Sequence, residues 1–81
     1  MIDFTVLKKS YITTIQFGLL SNTGYCEVKR GNEVLHKFCE YLIDNSNCSE
    51  SEKHNMKLDL ELLKETLTKE IEKYYPGDLN E

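Results

Sequence analysis

Several features that mark common enzyme or membrane classes are missing from the sequence. It has no tryptophan, one proline and four glycines that stand apart from one another, so no glycine-rich phosphate loop is present. No apolar run reaches the roughly 18 residues of a transmembrane helix, and no basic start followed by an apolar core predicts a signal peptide. The three cysteines, Cys26, Cys39 and Cys48, are odd in number and not closely paired, which predicts a reducing cytoplasm.

Charge is distributed unevenly along the chain. The net charge is −4; residues 1–44 hold five acids and five bases, whereas residues 45–81 hold nine acids and five lysines. An acidic surface repels phosphate backbones and attracts basic proteins. We therefore expect a protein partner with a basic surface, no direct nucleic-acid binding and no membrane binding.

The clearest structural pattern is an amphipathic helix over Met56–Tyr75. Its apolar residues recur at steps of three and four and form one stripe that is expected to face the core. The stripe consists of Met56, Leu60, Leu63, Leu67, Ile71 and Tyr74. Lys73 in the last turn and Pro76 after it predict the C-terminus. Ser49 and Glu52 have the spacing of a capping box, so a start near residue 50 is an alternative.

Residues 2–20 match two patterns. As strands, they alternate apolar and polar side chains, and their many β-branched residues suit a pleated sheet. As a helix, they form an equally regular stripe of Phe4, Leu7, Tyr11, Ile15 and Leu19. Residues 21–24, Ser-Asn-Thr-Gly, suit a hairpin turn, and Gly31 disfavours one long helix beyond it, so strands are preferred. Residues 25–29 are then the returning strand.

A second helix is predicted to run from Asn32, as its N-cap, to about Asp44, with Gly31 as the joint between strand and helix. Its apolar face is expected to be buried. That face consists of Val34, Leu35, Phe38, Tyr41 and Leu42.

The predicted fold class is α+β, with an N-terminal β-hairpin or three-stranded meander over residues 2–30 followed by two amphipathic helices. The alternative is an all-α three-helix bundle in which residues 4–20 form the first helix. In either fold, residues 1–81 form a single small domain and residues 77–81 a frayed tail.

The residues closest to a metal-binding set are His36, Cys39, Cys48 and His54. Their spacing lacks the C-x2-C pair of zinc sites and matches no zinc pattern, so we predict no metal and no cofactor. Cys39 is expected to behave as a small apolar residue, and His36 to point to solvent. Cys26 has no neighbouring base that would make it a nucleophile, and no catalytic residue is predicted.

Two leucines interrupt the charged side of the last helix. Leu58 and Leu62 lie one turn apart, opposite the apolar stripe and among acidic residues, which is the composition of a protein-binding patch. The predicted partner-binding residues are Leu58, Asp59, Glu61, Leu62, Glu65, Lys69 and Glu72. The alternative is that both leucines belong to the core, between the sheet and the preceding helix.

These patterns favour a small acidic, non-enzymatic protein-binding module, an inhibitor or regulator that covers a basic surface of its partner. In charge and size alone it is comparable to bacterial immunity proteins, antitoxins and phage anti-defence proteins, and its composition is typical of a low-GC bacterium or phage. The second hypothesis is a homodimeric structural or assembly subunit that pairs through its helices. The third, a small metal- or thiol-dependent enzyme, depends on the histidines and cysteines described above.

Overall fold

The computed structural model describes residues 3–76, which fold into three α-helices: α1, Phe4–Leu20; α2, Tyr25–Asp44; and α3, Glu50–Tyr74. Residues 3–76 contain no β-strand, so the predicted α+β class with its hairpin or meander is wrong, and the three-helix alternative describes the fold. Among these residues no helix is both long and apolar enough to cross a membrane. The predicted frayed tail, residues 77–81, lies outside the described residues.

The first helix forms although its sequence is rich in β-branched residues. Asp3 caps its N-terminus, because the Asp3 carboxylate accepts a hydrogen bond of 3.2 Å from the Val6 N–H. Tyr11, Ile15 and Leu19 are buried at four-residue steps, so the helical stripe faces the core. The propensity penalty is below about 1 kcal/mol per residue, and burying the whole stripe outweighs it.

The turn between α1 and α2 lies where a hairpin turn was predicted, but it joins two helices. Asn22 has a φ of 56° and Gly24 a φ of 111°, both positive. Asn22 follows the C-cap residue Ser21, whose N–H donates to the Phe17 carbonyl at 2.9 Å. Residues with positive φ end helices as well as hairpin strands. The four residues therefore predict the position of the turn and not the elements that it connects.

The second helix begins at Tyr25 and buries a different face from the one predicted. Residues 25–29 form its first turns and not a strand, while Gly31 and Asn32 lie inside it and not at its start. Its buried side consists of Val28, Asn32, His36, Cys39 and Ile43. The predicted core residues Val34, Phe38 and Tyr41 are instead exposed, and Leu35 and Leu42 are half-buried at the edge.

A buried hydrogen-bond network accounts for the inward position of Asn32. The Tyr11 hydroxyl of α1 donates to Asn32 Oδ1 and lies 3.0 Å from the Asn32 backbone oxygen. Asn32 Nδ2 donates to two α3 acceptors, Thr68 Oγ1 at 3.1 Å and the Lys64 carbonyl at 3.3 Å. The side-chain acceptor and donor of Asn32 are thus both paired, and its burial leaves neither unsatisfied. One side chain connects all three helices and orients α2 about its axis.

The third helix begins at Glu50, six residues before the predicted Met56 and at the alternative start that Ser49 and Glu52 indicate, and it ends at Tyr74, one residue before the predicted end. Ser49 Oγ accepts a hydrogen bond from the Glu52 N–H, and the Glu52 carboxylate accepts one from the Ser49 N–H, each at 3.2 Å, which completes the capping box. Its stripe places Leu60, Leu67 and Ile71 in the core, with Met56 and Leu63 packed beside them. Tyr74, predicted to be core, is 52% exposed. Tyr75 packs on the core in its place, because it leaves helical geometry with φ −126° and ψ 59°.

Candidate functional site

Leu58 and Leu62 form an exposed apolar pair on the outer side of α3, which we call the α3 ridge. The two side chains are 54% and 64% exposed. They lie roughly 160° and 200° around the helix axis from Leu60, at about 100° per residue. Leu60 itself is completely buried. The structure therefore places both leucines on the surface, directly opposite the packed side of α3, and not in the core.

A groove between α2 and α3 runs along one side of the α3 ridge. Its volume is about 400 Å³ and its walls are mostly charged. Four of the predicted partner-binding residues line it, namely Glu61, Glu65, Lys69 and Glu72. Lys29 and Glu33 face them from α2. No ion pair formed within residues 3–76 involves Glu65 or Glu72, so both carboxylates are available to another molecule.

The groove between α1 and α3 flanks the other side of the α3 ridge, with a volume of about 340 Å³. Lys8 and Lys9 of α1 line it together with Asp59 and Leu62 of α3. Asp59 Oδ2 lies 2.8 Å from Lys8 Nζ, and the two side chains are 48% and 32% exposed. An ion pair this exposed contributes up to about 1 kcal/mol. Asp59 therefore holds α3 against α1 and is only partly free for a partner.

Tertiary structure reduces the acidic character predicted around the α3 ridge. The α2-side groove carries four glutamates and three lysines, a balance of −1. The α1-side groove carries Lys8 and Lys9 against Asp59, a balance of +1. The acidic rim was predicted from the neighbours of Leu58 and Leu62 along α3 alone. In the fold, α1 adds Lys8 and Lys9 and α2 adds Lys29. Net negative charge is thus confined to the α2 side of the ridge.

Glu61 has a second role at the edge of the protein interior. Glu61 lies against His36, which is 5% exposed. The prediction that His36 points to solvent is therefore wrong, because the four-residue step from Asn32 keeps His36 on the inner side of α2. His36 Nε2 is 3.2 Å from Glu61 Oε2, and His36 Nδ1 is 3.7 Å from Glu40 Oε1. The Nε2 contact lacks hydrogen-bond geometry, so it is a contact between polar groups and not a directed bond. Substitution of Glu61 would therefore also change the surroundings of the buried His36, whereas Glu65 and Glu72 take part in no ion pair within residues 3–76.

Cysteine and histidine side chains do not assemble into a metal site in the described part of the chain. Within residues 3–76, no group of three or more His, Cys, Asp or Glu side chains is arranged to hold a metal ion. Cys39 is 3% exposed, and burial raises the pKa of its thiol, which favours the unreactive neutral form. Cys26 is exposed and Cys48 half-buried, both as free thiols.

Sequence reasoning missed the surface on the outer side of α2, because it assigned Val34, Phe38 and Tyr41 to the core. They are 58%, 54% and 61% exposed. One signal could have revealed this surface. The α2 sequence has two stripes at helical spacing, residues 28, 32, 36, 39 and 43 and residues 34, 38 and 41, so either could have faced inward.

Comparisons with protein-family models, with curated proteins and with solved structures found no match to this chain.

Proposed function

We propose that this protein is a non-enzymatic protein-binding module, an inhibitor or regulator that places the outer side of α3 on a basic surface of another protein. The α3 ridge carries the proposal, because Leu58 and Leu62 are more than half exposed on the side of a 25-residue helix that faces away from the bundle. Apolar side chains one turn apart, rimmed by charged groups, are what a helix presents to a hydrophobic groove of a partner.

Electrostatics supports a basic partner that approaches from the α2 side. Glu65 and Glu72 line that groove without ion-pair partners among residues 3–76, and Glu61 extends the acidic row by one turn. Lysine or arginine side chains of the partner would pair with these carboxylates at the rim, while the leucines are desolvated at the centre. Since rim charges act mainly on diffusional encounter, the association rate should fall as ionic strength rises.

The cellular compartment of the protein is part of the same proposal. Cys26, Cys39 and Cys48 are free, and an exposed free thiol such as that of Cys26 suits a reducing compartment. We therefore propose that both the protein and its partner are cytoplasmic.

Affinity capture followed by mass spectrometry, performed in parallel with matched variants, tests the proposal. The double variant Leu58→Ser/Leu62→Ser removes the ridge without changing charge, and Val6→Ser is its control, because Val6 is 56% exposed on α1. Glu65→Lys/Glu72→Lys reverses the acidic row, and Glu70→Lys reverses an exposed acid outside the predicted site on the same helix.

We expect one basic protein to be captured by the wild type and both controls, lost with the ridge variant and weakened by the charge reversal. Binding kinetics with that protein should show an association rate that falls with added salt. Retention of the partner by the ridge variant, with its fold intact by circular dichroism, would refute a binding site on α3. A salt-independent association rate would remove the electrostatic part.

A further inference from the structure

The outer side of α2 has the spacing of a helix-pairing seam. Gly31, Val34, Phe38 and Tyr41 follow one another at steps of three, four and three residues, and we call them the α2 seam. This spacing is that of the a and d positions at which two helices pack side by side. Val34, Phe38 and Tyr41 are each more than half exposed, so within residues 3–76 no other element covers the seam.

Gly31 is a second observation at the same place. A glycine inside a helix costs about 1 kcal/mol relative to alanine, and a close packing contact is one reason for a helix to carry it. Inside the bundle it has none, because a Cβ built on Gly31 meets no atom within 4 Å. Gly18 differs, since its Cβ would lie 3.4 Å from Val28 of the neighbouring helix. Open space on the seam permits the backbone or a large side chain of a further helix to approach closely.

Charge selects a second copy of this chain, in antiparallel orientation, as the occupant. One edge of the α2 seam carries Arg30, Lys37 and Asp44 at seven-residue steps, two bases followed by an acid. In an antiparallel pair this edge faces the same edge of the second copy, so Arg30 of each copy lies opposite Asp44 of the other, with the two Lys37 side chains between these pairs. In a parallel pair it faces the edge that carries Leu35 and Leu42, and no opposite charges meet. Asp44 also contacts Lys57 of its own chain, at 2.5 Å. The other edge carries Leu35 and Leu42, which are half-buried and would meet their own equivalents.

The outer side of α3 is less suited to self-pairing. Its exposed glutamates, Glu61 and Glu65, would meet the same residues of a second copy, and like charges across a contact are destabilising. None of the four seam residues is charged. The two acids between them in the sequence lie outside the seam, since Glu33 lines the α2–α3 groove and Glu40 Oε1 is 3.7 Å from His36 Nδ1, so no carboxylate within the seam opposes self-association.

We propose that two copies of this chain pair through their α2 seams as antiparallel helices. Tyr41 of each copy packs over Gly31 of the other, and Val34 of each packs against Phe38 of the other. The three large seam side chains expose roughly 300–400 Å², about half of the 800 Å² that each partner contributes to a standard stable interface. Arg30, Lys37 and the edge leucines supply further area, so a dimer that forms at micromolar concentration is expected. This interface does not depend on the function proposed for α3.

Sedimentation equilibrium over a range of concentrations tests the pairing. The wild-type mass should rise from the 9.5 kDa of one chain to twice that value by high micromolar concentration. Phe38→Glu should weaken dimerisation by more than about tenfold, because it places a charge at the centre of the interface. Leu58→Glu is the matched control, since Leu58 and Phe38 are both 54% exposed, and it should leave the dimer intact.

A wild type that remains at 9.5 kDa overturns the proposal, as does a dimer that survives Phe38→Glu and dissociates with Leu58→Glu. A wild type that stays monomeric leaves partner binding by α3 untouched, because that binding is read from the partner and not from the mass of this chain. A dimer that depends on Leu58 would instead place the contact between copies on the α3 ridge and would count against a different protein as the occupant of that ridge. Conversely, loss of a dimer with Phe38→Glu alone does not bear on α3.

Cysteine crosslinking tests the orientation, in a Cys26→Ser/Cys48→Ser background that removes the accessible thiols. An equimolar mixture of Gly31→Cys and Tyr41→Cys chains should form a mixed disulfide on mild oxidation. Tyr41→Cys chains alone should not crosslink, because in this register the two positions lie roughly 15 Å apart along the axis, beyond the ~7 Å limit between Cα atoms. Self-crosslinking of Tyr41→Cys, or no mixed disulfide, would overturn the antiparallel arrangement.

Discussion

The inner side of α2 carries more polar groups, and its outer side more apolar ones, than is expected of a surface helix, although Val28, Cys39 and Ile43 keep the inner side mostly apolar. Asn32 and His36 lie on the inner side, whereas Val34, Phe38 and Tyr41 lie on the outer side. The inner polar groups are accommodated by neighbours, since Tyr11 and two α3 acceptors pair with Asn32, and Glu61 lies against His36.

Rotating α2 by half a turn would bury Val34, Phe38 and Tyr41, but it would expose Val28, Cys39 and Ile43 and remove the acceptors of the Tyr11 hydroxyl. Since Phe38 and Tyr41 are 54% and 61% exposed, each forgoes about half of the roughly 1.5–3 kcal/mol that full burial of a large apolar side chain gives, and a seam-to-seam contact would recover part of this free energy. Hydrogen-bond partners on α1 and α3, and not the apolarity of a stripe, therefore decide which side of α2 faces inward.

The largest expected effect comes from placing the same charge on each side of α2. Ile43→Glu should cost more than about 4 kcal/mol, because Ile43 has no exposed surface and the buried side chains of residues 3–76 include no lysine or arginine to pair with a carboxylate. Phe38→Glu should change the stability of the single chain by less than about 0.5 kcal/mol, since its side chain is in solvent. Urea unfolding followed by circular dichroism, at concentrations where both variants are monomeric, measures both. Equal destabilisation would contradict the assignment of the two sides.

A somewhat smaller effect is expected from the buried network. Asn32→Ala should destabilise the protein by about 1–3 kcal/mol, because it removes the hydrogen bonds that the buried Asn32 side chain makes to α1 and α3 and leaves the Tyr11 hydroxyl only the backbone oxygen of residue 32 as an acceptor. Replacing both partners, as in Asn32→Leu/Tyr11→Phe, should recover much of this loss, since no unsatisfied group remains. Urea midpoints of the two variants compare these outcomes. If the double variant is no more stable than Asn32→Ala, the network contributes more to the free energy of unfolding than the pairing of the Tyr11 hydroxyl with the Asn32 side chain.

Alkaline pH tests the inner side without changing its packing. Burial, with added repulsion from Cys39 and Glu61, raises the pKa of Tyr11 well above its usual range, and burial also raises that of Cys39. Both groups stay protonated in the fold where they ionise in the unfolded chain. The stability that they contribute is complete below their ordinary pKa values, about 8.5 for a cysteine and about 10 for a tyrosine. It is lost as the pH rises through the raised pKa values of the folded protein.

Stability should therefore fall above about pH 9, with a slope approaching ~1.4 kcal/mol per pH unit for each group that ionises only on unfolding. Urea unfolding at a series of pH values measures the slope. Tyr11→Phe should make it shallower above about pH 10, where tyrosine ionises. A slope unchanged by this substitution would show that Tyr11 does not hold its proton in the folded state.

The smallest effect, and one of opposite sign, is expected on the outer side. Gly31→Ala should stabilise the single chain by up to about 1 kcal/mol, because the new Cβ meets nothing and alanine favours the helix. The same change should weaken the dimer, because it adds a methyl group where Tyr41 of the second copy is to pack. Thermal unfolding in the Phe38→Glu background isolates the first effect, and sedimentation isolates the second. If Gly31→Ala increased both the stability of the single chain and the strength of dimerisation, Gly31 would have no packing role in the dimer.

Local signals in the sequence determined where α3 begins and ends and where the chain turns. Ser49 and Glu52 form their capping box from neighbouring backbone groups alone, and the stripe from Leu60 to Ile71 has one regular period over the helix. These features act over three or four residues, so no distant partner is needed. The exposed position of the α3 ridge follows from the same period.

Only the tertiary structure decided that residues 4–20 are helical, that α2 buries Asn32 and His36, and that lysines of α1 and α2 flank the α3 ridge. The sequence of α1 satisfies both a strand and a helix period, and packing of Tyr11, Ile15 and Leu19 on the other helices selects the second. The orientation of α2 depends on acceptors 32 and 36 residues further along the chain, at Lys64 and Thr68. Propensity and periodicity are local, whereas a buried polar group is stable only beside a partner that the fold supplies.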